Sequence, residues 1–440
     1  MKRREFLSLA ALAAAPRLAC AQPRVLRPGP ARQALVGAAN PQTAVWAYDG
    51  VVPGPELRLR QGERLRIAVE NALDAETTVH WHGIRLPNAM DGVPGVTQKP
   101  IPRSGRFLYE FDLPDAGTFW YHPHLGSPEQ VARGLYGALI VEERDPPVVD
   151  RDLAWVLSDW RLDRGARLVE NFGNPMDASH AGRIGNTVTV NGAIRETFGV
   201  RAGERIRLRL INASNARIYG LEFEAHQPSL IALDGHPVAP RYEARVVLGP
   251  GMRADLILDC AAKPGSAHRV VDTFYRQRAY ELLKIQYGDA APLRGSFAPV
   301  PRLAPNPVAV PDVGKAERHR IVFGGGMMGG MMGGPGRMFW TINGEVVPED
   351  GHKHAPLLTL RRGRSYVFEL VNDTAWHHPI HLHGHVFRVL PDGPWADSVL
   401  LDPRTRAEIA FVADNPGDWM LHCHVLEHQA SGMMAMVRVA

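Results

Sequence analysis

One pattern occurs three times along this chain: LRLRQGERLRIAVEN from Leu57 to Asn71, FGVRAGERIRLRLIN from Phe198 to Asn212, and LTLRRGRSYVFELVN from Leu358 to Asn372. Each copy reads as a strand, a turn at Gly62, Gly203 or Gly363, and a second strand closing on Asn nine residues later. Apolar and polar side chains alternate with a period of two, the mark of a half-buried antiparallel strand. Such a repeat restricts the chain to three copies of one β-sandwich and disfavours a helical bundle. The length of 440 residues agrees, and 43 Gly with 36 Pro suit short strands joined by many turns.

Proline marks the seams. Asp145-Pro146-Pro147 follows the first copy, and Pro299, Pro301, Pro305, Pro307 and Pro311 precede the third, as extended connectors do. The predicted domains are therefore residues 22–147, 148–300 and 301–440. Residues 1–21 stand apart from them. A basic start, Lys2-Arg3-Arg4-Glu5-Phe6-Leu7, leads into an apolar run through Ala15 and an A-x-A site at Ala19-Cys20-Ala21. This reads as a twin-arginine export signal, with an ordinary secretory signal or a lipoprotein anchor at Cys20 as lesser alternatives. The run is too short to span a bilayer, so a periplasmic or otherwise exported protein without a membrane span is expected. Its removal lowers the formal net charge from +4 to about +1, which makes no electrostatic case for nucleic acid or an anionic membrane.

The three copies carry different chemistry. His80-Trp81-His82-Gly83 begins nine residues beyond Asn71 and His381-Leu382-His383-Gly384 nine beyond Asn372, whereas the same offset from Asn212 meets Leu221 and Phe223. GTFWYHPH from Gly117 likewise aligns with GDWMLHCH from Gly417. Residues i and i+2 of a strand face the same way, so His80/His82, His122/His124, His381/His383 and His422/His424 each deliver two imidazoles toward one place. Four pairs at repeat-equivalent positions predict a multinuclear metal site between the first and third domains. The middle domain, where Arg217, His226 and His236 form no metal pattern, reads as a spacer.

Cys423 lies between His422 and His424, so its sulfur faces away from their imidazoles and serves a different metal. With His428, Met433 and, on the strand ahead of His381, His378, it completes two His, one Cys and a thioether, the donor set of a blue copper rather than of zinc. Cys260 is expected to be a small buried hydrophobe, His352 and His354 solvated loop residues, and His385 a packed or hydrogen-bonding strand residue.

HWHG from His80, HPH from His122, HHPIHLHGH from His377 and HCHVLEHQASGMM from His422 resemble the four copper-binding motifs of the multicopper oxidases, the group of laccases and bacterial cuprous oxidases. The resemblance covers essentially the whole mature chain. It implies an all-β fold of three cupredoxin-like Greek-key domains, and four coppers that reduce dioxygen to water. It implies a type 1 copper on His378, Cys423, His428 and Met433, and a type 2 copper on His80 and His381. One type 3 copper would take His82, His122 and His424, the other His124, His383 and His422. Electrons would enter at a partly exposed His378 or His428 and pass through Cys423 to His422 and His424. Asp91 matches a family acid near the type 2 copper, its alternative being a turn residue before Gly92. Gln429 stands where many bacterial members carry a proton-carrying Glu. A copper nitrite reductase would not need all four His-x-His pairs, and a copper-free scaffold would have lost ligands, whereas here every position is filled.

The segment from Gly324 to Met338 holds Met327, Met328, Met331, Met332 and Met338, five of thirteen methionines, embedded in glycine. Thioethers select Cu(I), so a loop that gathers cuprous ions over the blue site is expected, with a plain covering lid as the alternative. The reductant is then Cu(I) or a small phenol or aromatic amine, dioxygen is the acceptor, and the protein is expected to be monomeric. Asp373 and Trp376 are candidates for lining the substrate entrance.

Overall fold

A computed structural model describes residues 22–326, 340–347 and 355–440. The methionines 327–338, His352 and His354, and the segment 1–21 lie outside the described residues. In the first sandwich, Gly54–Arg60, Gly137–Glu142, Gly117–His122 and His80–His82 lie side by side in one sheet, and Arg24–Leu26, Arg64–Glu70 and Arg106–Asp112 form another. Strands within 151–287 form sheets of six and five, and strands within 317–439 do the same. No strand pairing among the described residues joins one of these groups to another. The chain is thus all-β, three cupredoxin-like sandwiches in series. None of its described helices is long and apolar enough to cross a membrane.

The repeat is a sandwich corner rather than a hairpin. Gly54–Arg60 and Arg64–Glu70 enter different sheets, as do Thr197–Val200 and Arg205–Asn212, and Leu358–Leu360 and Ser365–Asn372. The first strand of each pair runs parallel to its neighbour, against the expectation of antiparallel pairing. A turn of three or four residues that changes sheets leaves no partner for the antiparallel ladder.

The closing asparagines have one job in all three copies. Asn71 donates to the Ala75 and Ile101 carbonyls and accepts from Leu73 N–H; Asn212 donates to Arg217 and Leu248 and accepts from Ser214. Asn372 donates to Trp376 and Leu401 and accepts from Thr374. A buried loop must find partners for its backbone, and an amide with two donors and an acceptor supplies them. In the first and third domains that loop leads into the His-x-His strand.

The middle copy departs from the expected half-buried pattern, because every residue of Arg205–Asn212 is buried. Arg207 pairs with Glu143 and Asp255, and Arg209 with Asp152 and Asp255, so the polar face is sealed against the first domain instead of water. Charges removed from solvent persist only when paired in this way.

Candidate metal centre

Strand pairing brings the histidine pairs into register. His80 lies opposite His122 in the first domain, and His381 opposite His422 in the third, where Ile380 faces Cys423. The odd residues of each motif point the other way, so Trp81 and Leu382 enter the hydrophobic core. Between the domains the rings meet in cross-pairs: His80 stacks on His383 at 4.0 Å and His82 on His381 at 3.9 Å. His122 and His424 are 5.3 Å apart, as are His124 and His422.

Ligand atoms converge in several sets, some of which share a residue. His82, His122 and His424 bring theirs within 4.8 Å of one another, and so do His124, His383 and His422; His80, His82 and His381; and His378, Cys423 and His428. Cys423 Sγ lies 3.4 Å from His378 Nδ1 and 3.7 Å from His428 Nδ1, on the face away from the eight clustered imidazoles. Met433 accepts a backbone bond from Cys423 and donates one to His428, and is itself fully buried. The structure therefore places the sequence-predicted ligands in two neighbouring sites.

Copper fits these donors. His80, His122 and His381 each donate Nδ1–H to a backbone carbonyl, of Asp91, Pro123 and Asp397 respectively, and their buried Nε2 atoms have no partner among the described residues. His82 is reversed: its Nε2 is held by Asp397 Oδ1 at 3.2 Å and its Nδ1 is the free atom. A buried lone pair without a donor is costly unless a metal takes it, and a second ring nitrogen tied to a carbonyl or carboxylate is the usual arrangement of a metal-binding histidine. Burial, followed by the charge of a neighbouring imidazole, holds His82, His122, His124, His383, His422 and His424 well below the usual imidazole range. The rings are neutral and ready to bind. Burial also pushes the Cys423 thiol far up, so its proton is released only as a metal binds.

These shifts set a pH dependence. An imidazole whose folded pKa lies below its unfolded one takes up its proton mainly on unfolding, so stability falls as pH drops below about 6.5, by ~1.4 kcal/mol per pH unit for each such group. The metal-free protein is expected to melt at a markedly lower temperature near pH 5 than near pH 7, with copper-loaded protein melting well above the metal-free protein at both pH values. Equal melting curves for the two forms would contradict the assignment.

Asp91 is more than a turn residue. Its carbonyl takes His80 Nδ1–H at 2.8 Å and its carboxylate takes His383 Nδ1–H, also at 2.8 Å, joining the two domains. Gly92 (φ +79°) permits this, because a Cβ there would collide with the Val79 carbonyl.

A counterpart that sequence reasoning missed comes from the third and middle domains. The Asp397 carbonyl holds His381 while its carboxylate holds His82, and Arg253 of the middle domain clamps that carboxylate at 2.9 and 2.6 Å. Asp234 in turn accepts from Arg253 and from Ser398 N–H. Although burial opposes it, Arg253 and then His82 hold the Asp397 carboxyl well below the usual range, while burial and the Asp397 charge push Asp234 up to about 7. The signal was Gly83 in the HWHG motif: at φ +87°, a Cβ would strike Arg253 and Asp397. The middle domain is therefore no mere spacer, although it carries none of these ligand sets.

Two further expectations change. His378 and His428 are both fully buried, not partly exposed. Trp340 covers them at 5.2 and 4.1 Å, and His428 Nε2–H donates to the His180 carbonyl of the middle domain at 2.6 Å. Asp373 is an exposed residue paired with Arg404, whereas Trp376 sits edge-on to Trp340 at 5.6 Å and to His180 at 5.7 Å. Cys260 is buried as expected, its thiol pushed up to about 12. His385 packs between Phe411 and Trp419.

Fold and site together define a copper oxidoreductase of the cupredoxin class. Multicopper oxidase family profiles match residues 32–146, 151–279 and 329–440. A multicopper oxidase from Pseudomonas thermotolerans superimposes with a TM-score of 0.85 at 37% identity, covering 94% of this chain and 98% of that one. The multicopper oxidase MmcO of Mycobacterium tuberculosis is 29% identical over 93% of this chain and 85% of its own. Copper resistance protein A of Escherichia coli is 25% identical over 89% of this chain and 88% of its own. The chain belongs to the multicopper oxidase family.

Proposed function

We propose that this protein is a four-copper oxidase that takes single electrons from Cu(I), with small phenols and aromatic amines as further reductants, and that it serves copper tolerance. The observation that carries the copper reading is the segregation of buried, unpartnered ligand nitrogens beside a His-Cys-His set. His378, Cys423, His428 and Met433 would hold a type 1 copper, and His80 and His381 a type 2 copper. His82, His122 and His424 would hold one type 3 copper, and His124, His383 and His422 the other. Bound copper supplies one-electron oxidation at the first site and four-electron reduction of dioxygen to water at the second.

The protein's own residues organise that chemistry. Cys423 is covalently continuous with His422 and His424, so a single residue links the two sites. Asp91 fixes the orientation of His80 and His383. Gln429 is buried, with neither amide atom partnered among the described residues, and it holds no proton to give. Gln429→Glu is expected to raise kcat for oxygen uptake; an unchanged kcat would show that proton supply at this position does not limit the rate.

Support for Cu(I) as substrate comes from the methionines 327, 328, 331, 332 and 338 and from the name of the copper resistance relative. We further propose a twin-arginine signal over residues 1–21, a periplasmic location, domains at 22–147, 148–300 and 301–440, and a monomer. The test is oxygen uptake by fully loaded protein, given Cu(I) and a substituted phenol in parallel, with and without deletion of 327–336. That deletion spares Gly324 and Gly325, which pair with Thr341 and Trp340. Preferential Cu(I) turnover that falls about tenfold or more on deletion, with a far smaller loss on phenol, is expected. Equal losses, or phenol turnover alone, would make the protein a laccase and the segment a lid.

A further inference from the structure

The hydrogen bond from His428 to the His180 carbonyl brings the short segment 174–183 of the middle domain into direct contact with a blue-site ligand. That segment is pinned. Asn174 caps the helix Pro175–Ser179, Asp177 pairs with Arg161 through both oxygens, Trp340 Nε1–H donates to the Ala178 carbonyl, and Glu427 accepts from Arg183 N–H. It therefore presents a fixed outer face.

On that face His180 is preset as a ligand. Its Nδ1 lies 3.0 Å from the Met176 carbonyl and 2.9 Å from Ser179 Oγ. A carbonyl only accepts, so Nδ1 carries the proton and the lone pair sits on Nε2. Among the described residues no hydrogen bond or ion pair engages that Nε2. A carbonyl-held Nδ1–H with a free Nε2 is the same arrangement seen at His80 and His381, and it is the one that metal-binding histidines adopt. Met176 is 63% exposed, and because its own carbonyl holds the His180 ring the two residues are neighbours on that face.

We propose that Met176 and His180 form a docking site for Cu(I), one hydrogen bond from the copper ligand His428; this rests on the Cu(I) reading of the function. A thioether and a neutral imidazole are uncharged, soft donors that suit Cu(I) and suit Cu(II) poorly. Bound Cu(I) loses one electron, which crosses the His180 carbonyl contact to the oxidase coppers with dioxygen as final acceptor, and the resulting Cu(II) leaves. No proton moves in that step. The middle domain thereby adds a second Cu(I)-binding element in addition to the methionines of the third domain.

The test uses full-length, copper-loaded protein and silver(I), a redox-inert stand-in for Cu(I). Met176→Leu together with His180→Gln is expected to remove one tightly bound silver ion and to raise KM for Cu(I) about tenfold or more. The blue absorbance per copper should persist, because the His180 carbonyl remains. Unchanged silver stoichiometry and KM would overturn the site while leaving Cu(I) oxidation standing. Failure of the wild-type protein to oxidise Cu(I) would instead overturn the substrate reading, and loss of a silver ion in the variant would then still support the site. Met176→Leu alone, at an exposed position, keeps the test available if the double variant fails to load copper.

Discussion

Cys423→Ser is expected to abolish the blue absorption and to lower oxidase turnover by more than about a thousandfold, some 4 kcal/mol or more of barrier. A hydroxyl of ordinary acidity does not replace a thiolate between His378 and His428, and no other described residue touches both imidazoles while continuing into His422 and His424. Because six of the eight cluster histidines, His80, His82, His122, His381, His383 and His422, keep their own carbonyl or carboxylate partners, copper content should fall by about one per chain rather than to zero. Metal analysis, visible spectra and oxygen uptake on one preparation decide it. Retained colour would place the blue copper elsewhere, and loss of all copper would mean that the two sites load as a unit.

Arg253→Ala is the largest expected structural effect away from the ligands. It leaves Asp397 and Asp234 facing each other in a sealed interior, without the guanidinium that binds both. Breaking a buried pair by deleting one partner costs about 3–5 kcal/mol. Asp397 also steers His82 and His381, so affinity for cluster copper should fall about ten- to a hundredfold. Denaturant unfolding of the metal-free protein and copper titration read the two effects separately. A normal unfolding midpoint with normal copper binding would show that the middle domain exerts no hold on the cluster. Arg253→Lys should recover only part of either effect, since an ammonium does not reproduce the two-pronged contact with Asp397.

The ligand set was legible because metal chemistry uses few residue types and a strand imposes its own spacing. Histidines at i and i+2 face one way whatever surrounds them, and Cys423 between two of them must face the other. Asp91 was legible from its place beyond His82, but its bridge to His383 was not, since that bond spans 292 residues. Arg253, Asp234 and Asp397 left no local trace. Arg and Asp are common surface residues, and only the close approach at Gly83 hints that they are buried here.

By itself the sequence determined three sandwiches, two of them metal-bearing, and which residues could ligate. Repeat, alternation and i+2 spacing are local consequences of backbone geometry and need no knowledge of partners. The tertiary structure alone decided which ring nitrogen is free, that His428 is sealed beneath His180, and that the middle domain, which contributes to none of the ligand sets among the described residues, reaches the cluster through Arg253. Those features rest on contacts between segments more than a hundred residues apart, where burial turns ordinary polar side chains and one backbone carbonyl into parts of the site.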